Sequence, residues 1–171
     1  SGDGEDRRIM ALAQLLQAMA RGTRSNDERW QDAVTEASRR LEAEGEKLAV
    51  AFGLVAGAVL ARTHGRMDEA RRLAQQAHDM CTEMGDSYLR GYASTQLARA
   101  ALGLGDVTAA RSLAVEALLV ARRHRNPSQM GYALELWATA ELRDGRIERA
   151  GQHDEAAAVA QQVVTDPAGD A

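Results

Sequence analysis

Apolar residues recur along most of the chain at steps of three and four positions, as Leu113, Ala117, Val120 and Ala121 do. Such a period gathers the apolar side chains on one face of a helix and leaves the opposite face to polar residues. The pattern predicts a first set of helices at residues 48–63, 88–103 and 128–143, and a second set at 67–83, 107–123 and 147–164.

The helical pattern is repeated every forty residues. The segment at 64–77 reappears at 104–117 and again at 144–157. Alignment of the copies gives five columns of similar residues: Gly65, Gly105 and Gly145; Ala70, Ala110 and Ala150; Ala77, Ala117 and Ala157; Ala58, Ala98 and Ala138; and Phe52, Tyr92 and Tyr132. Self-similarity at a fixed period is typical of repeat proteins. We therefore expect an all-α fold, a right-handed solenoid of antiparallel helix pairs with a period of about 40 residues.

Turn and cap residues lie where the predicted helices meet. Each aligned glycine fits the left-handed position that ends a helix, because glycine has no Cβ to clash there. Asn126 followed by Pro127 fits an N-cap with proline at the first helical position, and Asp86 occupies the equivalent N-cap. The alanine columns predict close helix crossings, where only a small side chain fits.

A more divergent repeat precedes the three aligned copies. Ser25, Asn26, Asp27 and Glu28 form a capping-box pattern, which predicts the start of a helix. Trp30 stands where the other copies have alanine, so we expect this repeat to shield the end of the stack. The boundaries predict one repeat domain at 8–164, with repeats at 8–45, 46–85, 86–125 and 126–164. A disordered or tag-derived segment is predicted at 1–7, and a disordered tail at 165–171.

Composition narrows the class of protein further. Alanine, the best helix former, takes 34 of the 171 positions. The formal net charge of −4 gives no reason to expect a nucleic-acid surface. A single cysteine, Cys81, excludes an internal disulfide and favours a cytoplasmic location. No apolar run is long enough for a membrane span. The sequence contains a single lysine, Lys47, and its other basic residues of this kind are all arginine. Together with the excess of alanine, this bias indicates a GC-rich bacterial genome.

The small-residue columns resemble a degenerate tetratricopeptide repeat. That family pairs a small residue in the first helix with two alanines in the second, as Ala98, Ala110 and Ala117 do around the Gly105-Asp106 turn. The chain departs from the family at its aromatic positions, which hold Leu54, Ser94 and Leu134, and Ala61, Ala101 and Glu141. The family's closing proline is missing, and the period is forty residues instead of about 34.

Forty-residue repeats with such turns look like those of large actinobacterial transcriptional regulators, among them antibiotic-pathway activators and LuxR-type ATP-binding regulators. The resemblance covers about residues 8–164. It implies a protein-interaction or sensor segment, with the DNA-binding and ATPase parts of such a regulator lying elsewhere.

Motifs that carry chemistry are missing from the sequence. No glycine-rich loop precedes a lysine and a serine or threonine, and neither a His-Glu-x-x-His nor a paired Cys-x-x-Cys motif occurs. The four histidines, His64, His78, His124 and His153, fall in different parts of different repeats. Cys81 lies on an inward helix face, where we expect a small buried hydrophobe and not a nucleophile. We therefore expect no enzymatic activity, no cofactor and no metal site.

The first helices present one face to a predicted groove, and solenoids bind partners on extended concave surfaces. Steps of three and four from the aromatic column give the candidate groove residues: Phe52, Val55, Val59 and Arg62; Tyr92, Thr95, Arg99 and Leu102; and Tyr132, Glu135, Thr139 and Arg143. Aromatics and arginines carry interface energy, so the groove suits an acidic or amphipathic peptide. Alternatively, the aromatic residues are core residues that pack one repeat against the next. We favour this interpretation for Phe52.

Two functions are compatible with this pattern. One is a module of a bacterial regulator that binds a peptide or partner domain; the other is a regulatory domain that binds a small molecule or signal peptide. Direct nucleic-acid binding is not expected, because basic and acidic residues are interspersed.

The predicted C-terminal helix has an apolar strip that no later helix would cover. It consists of Val159, Ala160, Val163 and Val164, and it predicts a homodimer or a docking seam at this helix.

Overall fold

The chain is all-helical in the part that the structure describes. The computed structural model describes residues 2–145 except 23, 26 and 28, with side chains from residue 4 onward. This part contains seven helices and no strand. They are α1 (Gly2–Gly22), α2 (Arg29–Ala43), α3 (Lys47–Thr63), α4 (Met67–Met84), α5 (Ser87–Leu104), α6 (Val107–Arg123) and α7 (Pro127–Arg143). The predicted helix at 147–164, with the strip at Val159, Ala160, Val163 and Val164, lies outside the described residues.

The helix bounds follow the spacing of the sequence repeat. α3, α5 and α7 begin at Lys47, Ser87 and Pro127, and α4 and α6 begin at Met67 and Val107. Equivalent helices therefore start forty residues apart. Each of these five helices agrees with its predicted bounds to within one residue at either end.

Side-chain caps hold the starts of the later helices. Asp86, Asp106 and Asn126 each accept a hydrogen bond from the backbone N–H three residues further on, at 2.9, 3.1 and 3.1 Å. α2 starts differently from the expectation, because its first helical residue is Arg29 and Asp27 Oδ1 accepts from the Arg29 N–H at 3.0 Å. The helix thus begins three residues later than a cap at Ser25 would place it.

Residues in the left-handed conformation end the helices from α2 onward. They are spaced twenty residues apart: Gly45, Gly65, Gly85, Gly105, Arg125 and Gly145. After Gly105, for example, the Asp106 N–H donates to the Ala101 carbonyl at 2.9 Å, the long bond of a Schellman motif. The three aligned glycines thus end helices as predicted. Arg125, with φ of 51°, is the one non-glycine residue with positive φ among those described, and its Cβ makes the conformation costly.

Each helix packs against the next, and the odd-numbered helices also pack against one another. α1 contacts α3, α3 contacts α5, and α5 contacts α7. Within the described residues, α2 does not pack against α4 in this way, nor does α4 pack against α6. The odd-numbered helices therefore form a closely packed row, and we call the surface of this row the odd-helix face.

Small residues allow the close helix crossings. Ala98, Ala110 and Ala117 are buried, as are their equivalents in the preceding repeat. At Gly91 on α5, an added Cβ would lie 2.6 Å from the Val120 Cγ1 of α6. The alanine columns therefore mark crossings, because larger side chains would separate the helices.

The first helix extends further toward the N-terminus than composition predicts. Residues 2–7 lie in α1 although the sequence predicts disorder there. Arg7 donates to the Glu44 carboxylate at 2.8 Å, and the Arg8 guanidinium lies 3.1 Å from the Glu46 carboxylate. These ion pairs connect the start of α1 to the α2–α3 turn, a long-range interaction that local composition does not reveal.

Trp30 packs into the first core cluster with residues of α1, α2 and α3. Gly22 leaves room for it, since a Cβ on Gly22 would lie 2.8 Å from the Trp30 Cβ. The outer side of α1 leaves Ile9, Met10 and Leu16 exposed. The tryptophan is thus half-buried against the core of the first repeat, while the outer helix keeps exposed apolar side chains.

Candidate binding face

The candidate groove residues all lie on the odd-numbered helices, but at different depths. Val55, Thr95 and Leu102 are buried, so they support the odd-helix face from beneath and do not reach a partner docked on it. Phe52, Val59, Arg62, Tyr92, Arg99 and Thr139 are half-buried, and Tyr132, Glu135 and Arg143 are exposed. The most exposed of the candidate groove residues therefore lie on α7.

The aromatic column changes character along the row. Phe52 packs against two core clusters, one with α1 and α2 and the other with α4 and α5. Tyr92 is half-buried against the second of these clusters. Tyr132 is 47 % exposed. Phe52 thus packs the repeats together, whereas Tyr132 is open to a partner.

Tyr88 extends the aromatic surface at the start of α5. Its ring meets that of Tyr92 edge to face with centroids 5.3 Å apart, and the two hydroxyl oxygens lie 3.1 Å apart. The Asn126 amide donates to both hydroxyls at 3.4 Å. Burial, followed by the hydrogen bond with Tyr88, raises the pKa of Tyr92. Sequence reasoning missed Tyr88, although two tyrosines four positions apart share one helix face.

Ser87 and His124 form a contact that resembles a nucleophile beside a base. Ser87 Oγ lies 2.8 Å from His124 Nε2. Within the described residues no carboxylate hydrogen-bonds to the imidazole; the edge of Tyr88 packs against it instead, with centroids 5.2 Å apart. The pair lacks the third group that orients a catalytic histidine. Both residues lie at helix ends, where they connect α5 to the end of α6.

Three arginines lie on the odd-helix face in different settings. The Arg99 guanidinium lies over the Tyr132 ring, 5.4 Å from its centroid. Arg143 donates to the Leu102 carbonyl near the C-terminal end of α5. Burial lowers the pKa of Arg62, and the nearby charge of Arg99 lowers it further. Arg62 and Arg99 lie on two helices, α3 and α5, that pack against each other.

A different arginine cluster connects α4, α5 and α6. Arg90 Nε lies 3.2 Å from Glu116 Oε1, and His78 Nε2 lies 3.0 Å from the same oxygen. The carboxylate thus lies between the two nitrogen-bearing side chains. We call Arg90, Glu116 and His78 the paired cluster.

No protein-family model, curated protein or solved structure matches this chain. The face must therefore be interpreted from its own side chains.

Two surface clefts lie away from the candidate groove residues. One, of about 510 Å³, lies between α1 and α2 and is lined by Met10 and Ala11 with charged side chains around them. The other, of about 300 Å³, has Val50, Met80 and Met84 in its wall. Both volumes are large enough for a small ligand.

Other chemistry finds little support in the described residues. Cys81 is buried, and burial, with the nearby charge of Asp86, raises the pKa of its thiol to about 11, so the reactive thiolate is disfavoured. No cluster of histidine, cysteine, aspartate and glutamate in this part of the chain could hold a metal ion. None of the helices described is long and apolar enough to cross a membrane. His153 lies outside the described residues.

Proposed function

We propose that the chain is a protein-interaction module that binds a peptide or partner domain on the odd-helix face. The observation that carries this proposal is the exposed Tyr132 ring beneath the half-buried Arg99 guanidinium. Aromatic and arginine side chains supply most of the energy in many interfaces. Because the ring holds the guanidinium in place, Arg99 would lose little side-chain freedom on binding.

In this proposal the helices form a tetratricopeptide-like, right-handed solenoid with a forty-residue period, and the odd-helix face is its concave side. The close approach of the odd-numbered helices supports this assignment, because the inner row of a curved stack is the more crowded one. The repeat pattern and composition favour a cytoplasmic, actinobacterial transcriptional or signalling regulator as the parent protein.

The test begins with peptides selected from a displayed random library on the wild-type chain. Their affinities are then measured by fluorescence anisotropy for wild type and for the Arg99→Glu, Tyr132→Ala double variant. We expect the double variant to bind at least about a hundredfold more weakly, a loss of about 3 kcal/mol typical of two central contacts. Circular dichroism should show the same helical content.

The matched control is the Arg71→Glu, Leu119→Ala double variant, which makes the same charge change and a comparable truncation on exposed positions of α4 and α6. It should bind the selected peptides as wild type does. Equal affinities for wild type and the Arg99→Glu, Tyr132→Ala variant would show that the binding surface lies elsewhere.

A second candidate function, small-molecule binding, is favoured by the cleft of about 300 Å³ near Met80 and Met84. Its wall combines apolar side chains with Glu42, Glu83 and Lys47, which resembles the mixture found in ligand sites. A thermal-shift screen with a metabolite panel tests it. A genuine ligand should raise the melting temperature of wild type and not that of Met84→Glu.

A further inference from the structure

Arg62 on α3 and Arg99 on α5 are two cationic side chains of the odd-helix face, on helices that pack against each other. Both side chains are half-buried, and both Nε atoms are buried without a hydrogen-bond partner. Within residues 2–145 as described, neither guanidinium forms an ion pair with a carboxylate. A cation that has lost part of its water and faces another cation is unfavourable unless an anion joins it. We call these two residues the open pair.

Three further half-buried arginines of the same chain are neutralised. A carboxylate oxygen lies near each of them: Arg66 has Glu69 at 3.3 Å, Arg90 has Glu116 at 3.2 Å, and Arg111 has Glu141 at 3.5 Å and Asp144 at 3.4 Å. The Nε atoms of Arg66 and Arg90 also make no hydrogen bond of good geometry. The open pair therefore differs from them by the missing negative charge, and not by its hydrogen-bond geometry.

The neighbours of the open pair do not supply that charge. Glu135 lies one turn after Tyr132 on α7, but it is exposed and forms no ion pair with Arg99 among the described residues. Tyr132 offers Arg99 only the face of its ring. An anion that approaches the odd-helix face would therefore meet two available guanidinium groups.

We propose that the open pair is a carboxylate-binding site, which takes an aspartate or glutamate side chain of an acidic peptide. The proposal rests on the proposed function, namely that the odd-helix face binds a peptide. A carboxylate has enough lone pairs to accept from both guanidinium groups, and such charge-assisted bonds are strong. Its charge would also remove the repulsion between Arg62 and Arg99.

The position of the site favours a carboxylate over a phosphate. Arg62 lies in the last turn of α3, and Arg99 lies in the C-terminal half of α5. The C-terminal end of a helix carries negative partial charge, which disfavours a dianion more than a monoanion. Phosphates are instead favoured at helix N-termini, where backbone N–H groups point outward.

The experiment uses the full chain and three capped decapeptides of alternating residues. One alternates glutamate with alanine, one has glutamine in place of glutamate, and one has a central phosphoserine in place of one glutamate. Arginine Nε–H signals are followed by NMR, and affinities are measured by fluorescence anisotropy. The net charge of −4 disfavours general attraction for an acidic peptide, so binding has to be local.

We expect the glutamate peptide to shift the Nε–H signals of Arg62 and Arg99, and to leave that of Arg90 in place. The Arg62→Gln, Arg99→Gln double variant should bind it at least about tenfold more weakly, as the loss of a charge-assisted contact predicts. The control is Arg71→Gln, Arg123→Gln, which removes the same charge from exposed positions on α4 and α6. It should change the affinity less than about twofold.

Three results would overturn the carboxylate site: unmoved signals of Arg62 and Arg99 in wild type, equal weakening in the control variant, or tighter binding of the phosphoserine peptide. The wild-type signals decide the question even if a variant fails to fold. The proposed function has its own readout, which is the affinity of the selected peptides for a Tyr132→Ala single variant. Peptides that need Tyr132 but neither arginine leave the module standing and remove the carboxylate site.

Discussion

Arg90 and Arg99 lie on the same helix, α5, and both are half-buried, yet their surroundings are opposite. Arg90 faces the Glu116 carboxylate at 3.2 Å, which also contacts His78. The Arg99 guanidinium lies over the ring of Tyr132, and its charge contributes to the lowered pKa of Arg62. In the paired cluster the protein neutralises its own charge, whereas the open pair leaves two positive charges without an anion in the described part of the chain.

The difference separates two uses of the same residue type. A neutralised arginine connects helices and has little left to offer a partner. An arginine without an anion destabilises the free protein slightly and gains most when a ligand supplies the missing charge. Sites arranged for binding commonly have this cost in stability. The variants below test whether the two clusters respond in opposite directions.

Glu116→Gln should have the largest effect. It leaves Arg90 charged without its carboxylate and weakens the contact with His78. The side chains of Arg90 and Glu116 are 31 % and 34 % exposed, so solvent screens part of the loss. We expect the free energy of unfolding to fall by about 1–2 kcal/mol, measured by urea denaturation at neutral pH.

The matched control for this prediction is Glu135→Gln. Glu135 is exposed on α7 and has no ion pair in the described residues, so its change should stay within about 0.5 kcal/mol. If both variants lose the same stability, the paired cluster does not stabilise the fold in the way its geometry indicates.

Arg62→Met should act in the opposite direction. Methionine keeps much of the aliphatic length of arginine, and the substitution removes the repulsion from Arg99. We expect the free energy of unfolding to rise by about 0.5–1 kcal/mol, a small gain because both guanidinium groups keep part of their water. The gain should shrink at high salt, where the repulsion is screened. Arg71→Met serves as the exposed control. A lower free energy of unfolding for Arg62→Met would contradict the idea that Arg62 and Arg99 repel each other.

Arg125→Gly should have the smallest effect, and it separates side-chain charge from backbone strain. Arg125 has φ of 51° at a position where the other turns have glycine. Relief of this strain, offset by the greater freedom of glycine in the unfolded chain, should raise the free energy of unfolding by about 0.5 kcal/mol. Arg123→Gly, within the last turn of α6, should lower it by about 0.5–1 kcal/mol. Equal signs for the two variants would show that charge, and not φ, sets the outcome.

Some features of the face could be predicted from the sequence and others could not. The aromatic column was visible, because its members recur at a fixed interval. The burial of Val55, Thr95 and Leu102 was not, since a helix in a packed row has interior neighbours on more than one side and no single stripe marks its exposed face. The contact of Tyr88 with Asn126 joins residues of different repeats, so periodicity within one repeat does not reveal it.

The sequence by itself determined the helices from α3 to α7, the glycine turns that end them and the N-caps of α5 and α7. These features depend on interactions within a few residues: helical periodicity, side chains that accept from nearby N–H groups, and glycines that adopt positive φ. Local rules also explain why Asp86 and Asn126 were assigned correctly.

Only the tertiary structure decided which charges meet. Arg90 reaches Glu116 because α5 and α6 cross closely, and Arg99 shares the odd-helix face with Arg62 because α3 and α5 pack against each other. In the sequence each is an arginine in a helix without acidic residues, so no local pattern distinguishes their surroundings. The same is true of α1, whose first turns are connected by Arg7 to Glu44 far along the chain. Electrostatic partners are set by distance and burial in the packed molecule, quantities that a local pattern of residues does not contain.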